Sequence, residues 1–77
     1  MTYTIQMQKA FRSLTPPSNF HVDIVDHDDF LTVRADEIQF MKLPDDQKRA
    51  AVEYMVRVKK ALEDNGAIVL LERKAVK

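Results

Sequence analysis

The densest group of side chains that could do chemistry lies in one short polar stretch. Its members are His21, Asp23, Asp26, His27, Asp28 and Asp29. Imidazole and carboxylate groups together bind divalent metal ions. A calcium-binding EF-hand loop, however, needs a central glycine and a closing glutamate, and the nearest glycine is Gly66. We therefore interpret the stretch as a solvated hairpin turn in which aspartates make local hydrogen bonds, with metal binding as the alternative.

The chain offers little for catalysis. It has no cysteine, and neither Ser13 nor Ser18 lies in a strand–turn–helix elbow that would expose a nucleophile. His21 or His27 with a neighbouring aspartate would make an acid–base pair, but the tip of a hairpin gives such a pair no enclosed pocket. Gly66 is the only glycine, which excludes a glycine-rich phosphate loop. We expect no enzymatic activity and no cofactor.

Basic residues gather in the second half of the chain and could contact a nucleic-acid backbone. Glu53, Glu63 and Asp64 interrupt them, and the twelve basic and twelve acidic side chains of the whole chain cancel. Net neutrality argues against a dedicated nucleic-acid or membrane-surface protein. Nucleic-acid binding is therefore our alternative function, with the candidate residues Lys48, Arg49, Arg57, Lys59 and Lys60.

One long helix is predicted for residues 44–64. Pro44 suits the first helical position, and Asp45 and Asp46 place negative charge at the positive end of the helix dipole. Neither glycine nor proline occurs between residues 47 and 64. Gly66 then predicts the end of the helix, because glycine accepts the left-handed conformation that closes helices.

Winding this helix at about 100° per residue separates its apolar residues into two groups. The broader group is expected to lie on a sheet and consists of Ala51, Tyr54, Met55, Val58, Ala61 and Leu62. Val52 and Val56 point away from the centre of that face. Either the core face is simply wide or another element covers the two valines, or they form a contact stripe for a partner or a second copy. In this last interpretation Lys59 lies at the rim, and Tyr3 or Phe40 serves as an aromatic anchor.

Residues 67–71 are apolar at every position, followed by the charged residues Glu72, Arg73 and Lys74. A half-buried strand would alternate apolar and polar residues, whereas a run without alternation is typical of a strand covered on both faces. We therefore predict a strand at 67–72 that occupies the centre of its sheet.

The first half of the chain predicts smaller elements. Residues 2–14 fit either an alternating strand or a helix, and a helix from about Thr4 to Leu14 is favoured because helical spacing continues to Leu14. Two alternating runs joined by the polar stretch predict an antiparallel hairpin at 20–35. Residues 36–42 would form a short edge strand or an irregular link.

Together these elements predict a single small α+β domain over residues 1–77. Its small mixed sheet, made of the hairpin near 20–35 and the strand 67–72, packs against the helix 44–64. A core this small favours oligomerisation, so we expect a non-catalytic protein-interaction domain that self-associates, for example as a homodimer. No apolar run is long enough to span a bilayer, and a cytoplasmic location is expected by elimination.

Overall fold

The computed structural model describes residues 3–17 and 20–74, and it confirms the α+β architecture. Thr2, at the start of the predicted N-terminal element, and Ser18 lie outside these ranges. In chain order the elements are α1 (Ile5–Arg12), β1 (Val22–Asp26), β2 (Leu31–Asp36), α2 (Glu37–Met41), α3 (Asp45–Glu63) and β3 (Val69–Lys74).

The sheet has the order β1-β2-β3, with β2 in the centre. β1 and β2 form the predicted antiparallel hairpin, in which Ile24 lies opposite Val33. β3 runs parallel to β2, with Leu31 opposite Val69. α3 packs against β2, β3 and α1. We call the face of the sheet that carries α3 the helical face. Alternate residues of β2 point to this face and belong to the core: Leu31, Val33 and Ala35.

The long helix begins and ends close to the predicted residues. Pro44 is the capping residue that precedes the first helical residue, and Asp45 and Asp46 occupy the first turn. Gly66 has a φ of +95°, and the N–H of Ala67 donates to the carbonyl oxygen of Leu62 at 3.2 Å. The left-handed residue at position 66 therefore ends the helix as the sequence predicts.

Replacing Gly66 with alanine is expected to lower the free energy of unfolding by about 1 kcal/mol, because a side chain is strained at this φ. An added Cβ would meet no atom within 4 Å, so the cost lies in the backbone alone. Urea denaturation measures the loss, and Gly66→Asn is the control because asparagine tolerates the left-handed region better. An alanine variant as stable as the original protein would contradict this explanation.

The N-terminal segment is the helix rather than the strand. The Oγ1 atom of Thr4 accepts a hydrogen bond from the N–H of Met7 at 3.2 Å, which caps the first turn. Met7 is buried on the inner side of α1, whereas Ile5 points into solvent. Helical spacing, not strict alternation, therefore describes which side chains of this segment reach the core.

Residues 36–42 are neither a strand nor an irregular link. They contain the short helix α2, because the side chain of Asp36 accepts a hydrogen bond from the N–H of Ile38 at 2.9 Å and caps the helix. Ile38 is exposed and Phe40 is buried, so the alternation of these two apolar residues did not indicate a common face.

The prediction of a central, fully covered strand after Gly66 is wrong. Among the described strands, β3 lies at the edge of the sheet and pairs with β2 alone, and it begins two residues later than predicted. Ala67 and Val69 are buried, but Ile68, Leu70 and Leu71 are 66%, 54% and 41% exposed. The physical reason is that α3 covers the helical side of β3 only partly, and no described element covers its other side.

Candidate interaction surface

The outer edge of β3 presents backbone groups that no described strand pairs with. The N–H of Leu31 in β2 donates to the carbonyl oxygen of Ile68 at 2.8 Å. Successive residues of a strand direct their backbone groups to opposite sides, so those of Leu70 also face β2. Those of Val69 and Leu71 point to the free side. Within the ranges 3–17 and 20–74 the sheet ends there.

Apolar side chains flank this edge on both faces of the sheet. Leu70 is paired with Thr32 and lies on the face away from the helices, whereas Leu71 is paired with Val33 on the helical face. A groove of about 300 Å³ runs between α3 and β3 on the helical face. Its lining residues are Val52, Met55, Leu71, Glu72 and Arg73.

Val52 and Val56 extend the apolar surface from the groove along α3. Their side chains are 46% and 50% exposed, and they lie one helical turn apart on the same side of the helix. We use the name β3 edge surface for the outer edge of β3 together with Ile68, Leu70, Leu71, Val52 and Val56. The two valines are thus part of a larger exposed apolar surface.

The two charged residues that line the groove are held by ion pairs within the molecule. Arg73 Nε lies 3.2 Å from Glu37 Oε2, and its guanidinium carbon lies 4.3 Å from the centre of the Phe40 ring. Glu72 Oε2 accepts a hydrogen bond from Arg34 Nε at 2.6 Å, and this bond lowers the pKa of the Glu72 carboxyl group. Glu72 therefore remains ionised at neutral pH, so the apolar part of β3 ends at Leu71.

The remaining candidate contact residues lie in different environments. Lys59 is on the exposed side of α3, where its Nζ atom lies 2.8 Å from Glu63 Oε2. Phe40 belongs to the core and packs edge-to-face against Phe20 with ring centres 6.3 Å apart, so we leave it out of the contact surface.

Tyr3 is separated from the β3 edge surface by the width of the sheet. Its N–H donates to Asp26 Oδ2 of β1, at the opposite edge from β3, at 3.3 Å. Burial raises the pKa of the Tyr3 hydroxyl, and the nearby charge of Arg12 lowers it by less. The structure therefore groups Val52, Val56 and Lys59 on α3 but places Tyr3 elsewhere.

The five basic candidates are distributed over about half of the circumference of α3. Two of them face carboxylates: Lys59 pairs with Glu63, and Lys60 Nζ lies 3.7 Å from Asp64 Oδ2. The others are Lys48, Arg49 and Arg57, and their side chains project from α3 in different directions. This arrangement does not concentrate positive charge in a single groove.

The polar stretch that follows β1 is organised as a turn. Asp26 Oδ1 accepts a hydrogen bond from the N–H of Asp28 at 2.8 Å. The His27 ring stacks on Phe30 with centres 4.4 Å apart, and its Nε2 atom lies 3.0 Å from Thr32 Oγ1. Among the described residues, no three histidine, aspartate or glutamate side chains are placed to hold a metal ion.

In the part of the chain that the structure describes, no helix is both long enough and apolar enough to cross a membrane. Comparison of the chain with protein-family models, with curated proteins and with solved structures gave no match. A functional proposal must therefore come from the site itself.

Proposed function

We propose that this domain is a non-catalytic protein-interaction module that self-associates through the β3 edge surface. The observation that carries the proposal is a strand edge that no described strand pairs with, with exposed leucines on both faces and two exposed valines on the neighbouring α3. Unpaired backbone groups and adjacent apolar side chains together make a surface suited to another protein.

Edge strands in stable monomers usually carry features that prevent pairing with other chains, such as charged side chains, proline or bulges. The segment from Val69 to Leu71 has none of these, and charge begins only at Glu72. An edge without such protection favours a partner that covers it.

The size and charge of the chain support self-association. A chain of 77 residues without cysteine has a small core and no disulfide to reinforce it, and oligomerisation is a common remedy. Because the formal net charge is zero, two copies approach each other without long-range repulsion.

Size-exclusion chromatography with light scattering tests the proposal. A single chain has a mass of 8.9 kDa, and we expect a mass close to twice that value at high protein concentration. The mass should fall towards that of one chain on dilution from roughly 1 mM to 1 μM if the dissociation constant lies in this range. A mass of one chain at every concentration would contradict self-association.

Nucleic-acid binding is the second candidate, favoured by the exposed cations Arg49 and Arg57 on α3. Lys48→Glu with Arg49→Glu separates the two functions, because it should weaken nucleic-acid binding more than self-association. Binding that falls steeply between about 50 and 200 mM salt would support this candidate. Failure of the protein to shift RNA or DNA at low salt would reject it.

A further inference from the structure

We infer that the occupant of the β3 edge surface is the β3 strand of a second copy, which runs antiparallel to the first around a two-fold axis beside Leu70. This inference rests on the proposed self-association and specifies its geometry. The two sheets would join into one continuous sheet, as in other cases of strand addition.

Symmetry restricts how two copies of β3 pair side by side. Two identical antiparallel neighbours are related by an axis perpendicular to the sheet, so the helices of both copies lie on the same face. Residues directly opposite each other then share a face, and the axis passes beside a residue rather than between two residues. The α3 helix of each copy then lies on the same face of the joined sheet, where Val52 lines the groove beside Leu71 and Val56 lies one helical turn further along α3.

The side chains of β3 select the position of the axis. An axis at Glu72 would place two like charges directly opposite each other, which destabilises a sheet. An axis at Leu71 would place Leu70 opposite a glutamate and Val69 opposite an arginine. An axis at Leu70 places Leu70 opposite Leu70 and Val69 opposite Leu71 of the second copy. An axis at Val69 would also pair apolar residues, but it would depend on Ala67 and Ile68, which precede the first residue of β3. Among axes that lie inside the strand, the one at Leu70 gives the most apolar central pairs, and Glu72 of each copy then lies opposite Ile68.

The backbone fits the same register. Val69 and Leu71 direct their N–H and C=O groups to the free side. Val69 of one copy therefore exchanges two hydrogen bonds with Leu71 of the second copy, and Leu71 does the same with Val69. Leu70 then occupies a position whose own backbone groups face β2. Pairs of this kind have Cα atoms about 4.5 Å apart, the closest approach in an antiparallel sheet.

Charge complementarity also favours the second copy as the occupant. In this register Arg73 and Lys74 of one copy lie opposite Ala67 and Gly66 of the other. Gly66 and Ala67 come shortly after Asp64, the residue that caps the negative end of the α3 dipole. Of the two cations, Arg73 lies on the helical face, so it approaches the anionic end of the second copy's helix in addition to pairing with Glu37 of its own copy.

Single cysteine substitutions test the register, because the natural chain contains no cysteine. Leu70→Cys should form an intermolecular disulfide readily on oxidation, since its Cα separation suits a disulfide. Leu71→Cys is the matched control: its copies would be about 8 Å apart, which is too far for a disulfide. We expect at least about tenfold more covalent dimer for position 70 on a non-reducing gel, with each variant oxidised at a concentration at which light scattering shows its reduced form to be dimeric.

The possible failures can be distinguished from one another. A natural protein with the mass of a single chain at all concentrations overturns the proposed function and this inference together. If the natural protein and the reduced Leu70→Cys variant self-associate but the variant does not cross-link on oxidation, strand pairing at Leu70 is wrong while self-association stands. Preferential cross-linking of Leu71→Cys would also overturn the register, because it would place the axis at Leu71.

Discussion

Replacing Val52 and Val56 with aspartate is expected to abolish self-association and leave the domain folded. Both valines are about half exposed, so the monomer loses little core packing. In a symmetric dimer the double variant brings charges from both copies into one apolar contact, where they lose water without gaining a partner. We expect the dissociation constant to rise at least about 100-fold, measured by light scattering over a dilution series.

Ile5→Asp is the matched control for this variant. Ile5 is an exposed β-branched residue that becomes the same charged residue, but it lies on α1 rather than on the β3 edge surface. Circular dichroism should show a native helix content for both proteins, with self-association lost only in the valine variant. If the valine variant unfolds, the two valines belong to the core and the contact hypothesis is wrong.

Replacing Phe20 with alanine is expected to have the largest effect on stability. Phe20 is completely buried, and its ring packs edge-to-face against Phe40 and Tyr54 with centres 6.3 Å apart in both pairs. Losing a buried phenylalanine costs about 3–5 kcal/mol. A domain of this size has a total stability near the lower end of about 5–15 kcal/mol, so much of the protein should be unfolded at 37 °C.

Phe30→Ala makes the same chemical change at a less buried position. Phe30 stacks on the exposed His27 in the turn between β1 and β2. We expect Phe30→Ala to lower the thermal unfolding midpoint much less than Phe20→Ala does. Equal losses for the two variants would show that the Phe20 cluster is not the centre of the core.

The helix α3 was predictable because several local signals agree on it. Pro44, the two aspartates after it and Gly66 mark its ends, and the spacing of Tyr54 and Val58 marks its buried face. The same winding placed Val52 and Val56 away from the centre of that face but left open whether they are covered; the structure shows both about half exposed. Signals of this kind depend on neighbouring residues alone, so they can be recognised without knowledge of the tertiary structure.

The position of β3 was not predictable in the same way. A run of apolar residues indicates that the side chains are favourable to bury. It does not indicate whether the same chain or a partner buries them. Leu70 and Leu71 satisfy the pattern of a central strand and nevertheless lie exposed at an edge. Their exposure could not be predicted from the sequence. The lack of alternation showed only that both faces of this run are apolar.

Local capping explains the other difference. Ile38 and Phe40 alternate as in a strand, but the Asp36 side chain starts a helix there. This places Phe40 in the core, where the guanidinium group of Arg73 lies over its ring.

Amide hydrogen exchange at the outer edge of β3 tests the self-association surface most directly. The N–H groups of Val69 and Leu71 should exchange at least about tenfold more slowly in concentrated than in dilute protein, because a second copy protects them. The N–H of Ile24, which points away from β2 at the opposite edge, is the control. Exchange at Val69 and Leu71 that is independent of concentration in a self-associating sample would contradict the β3 edge surface.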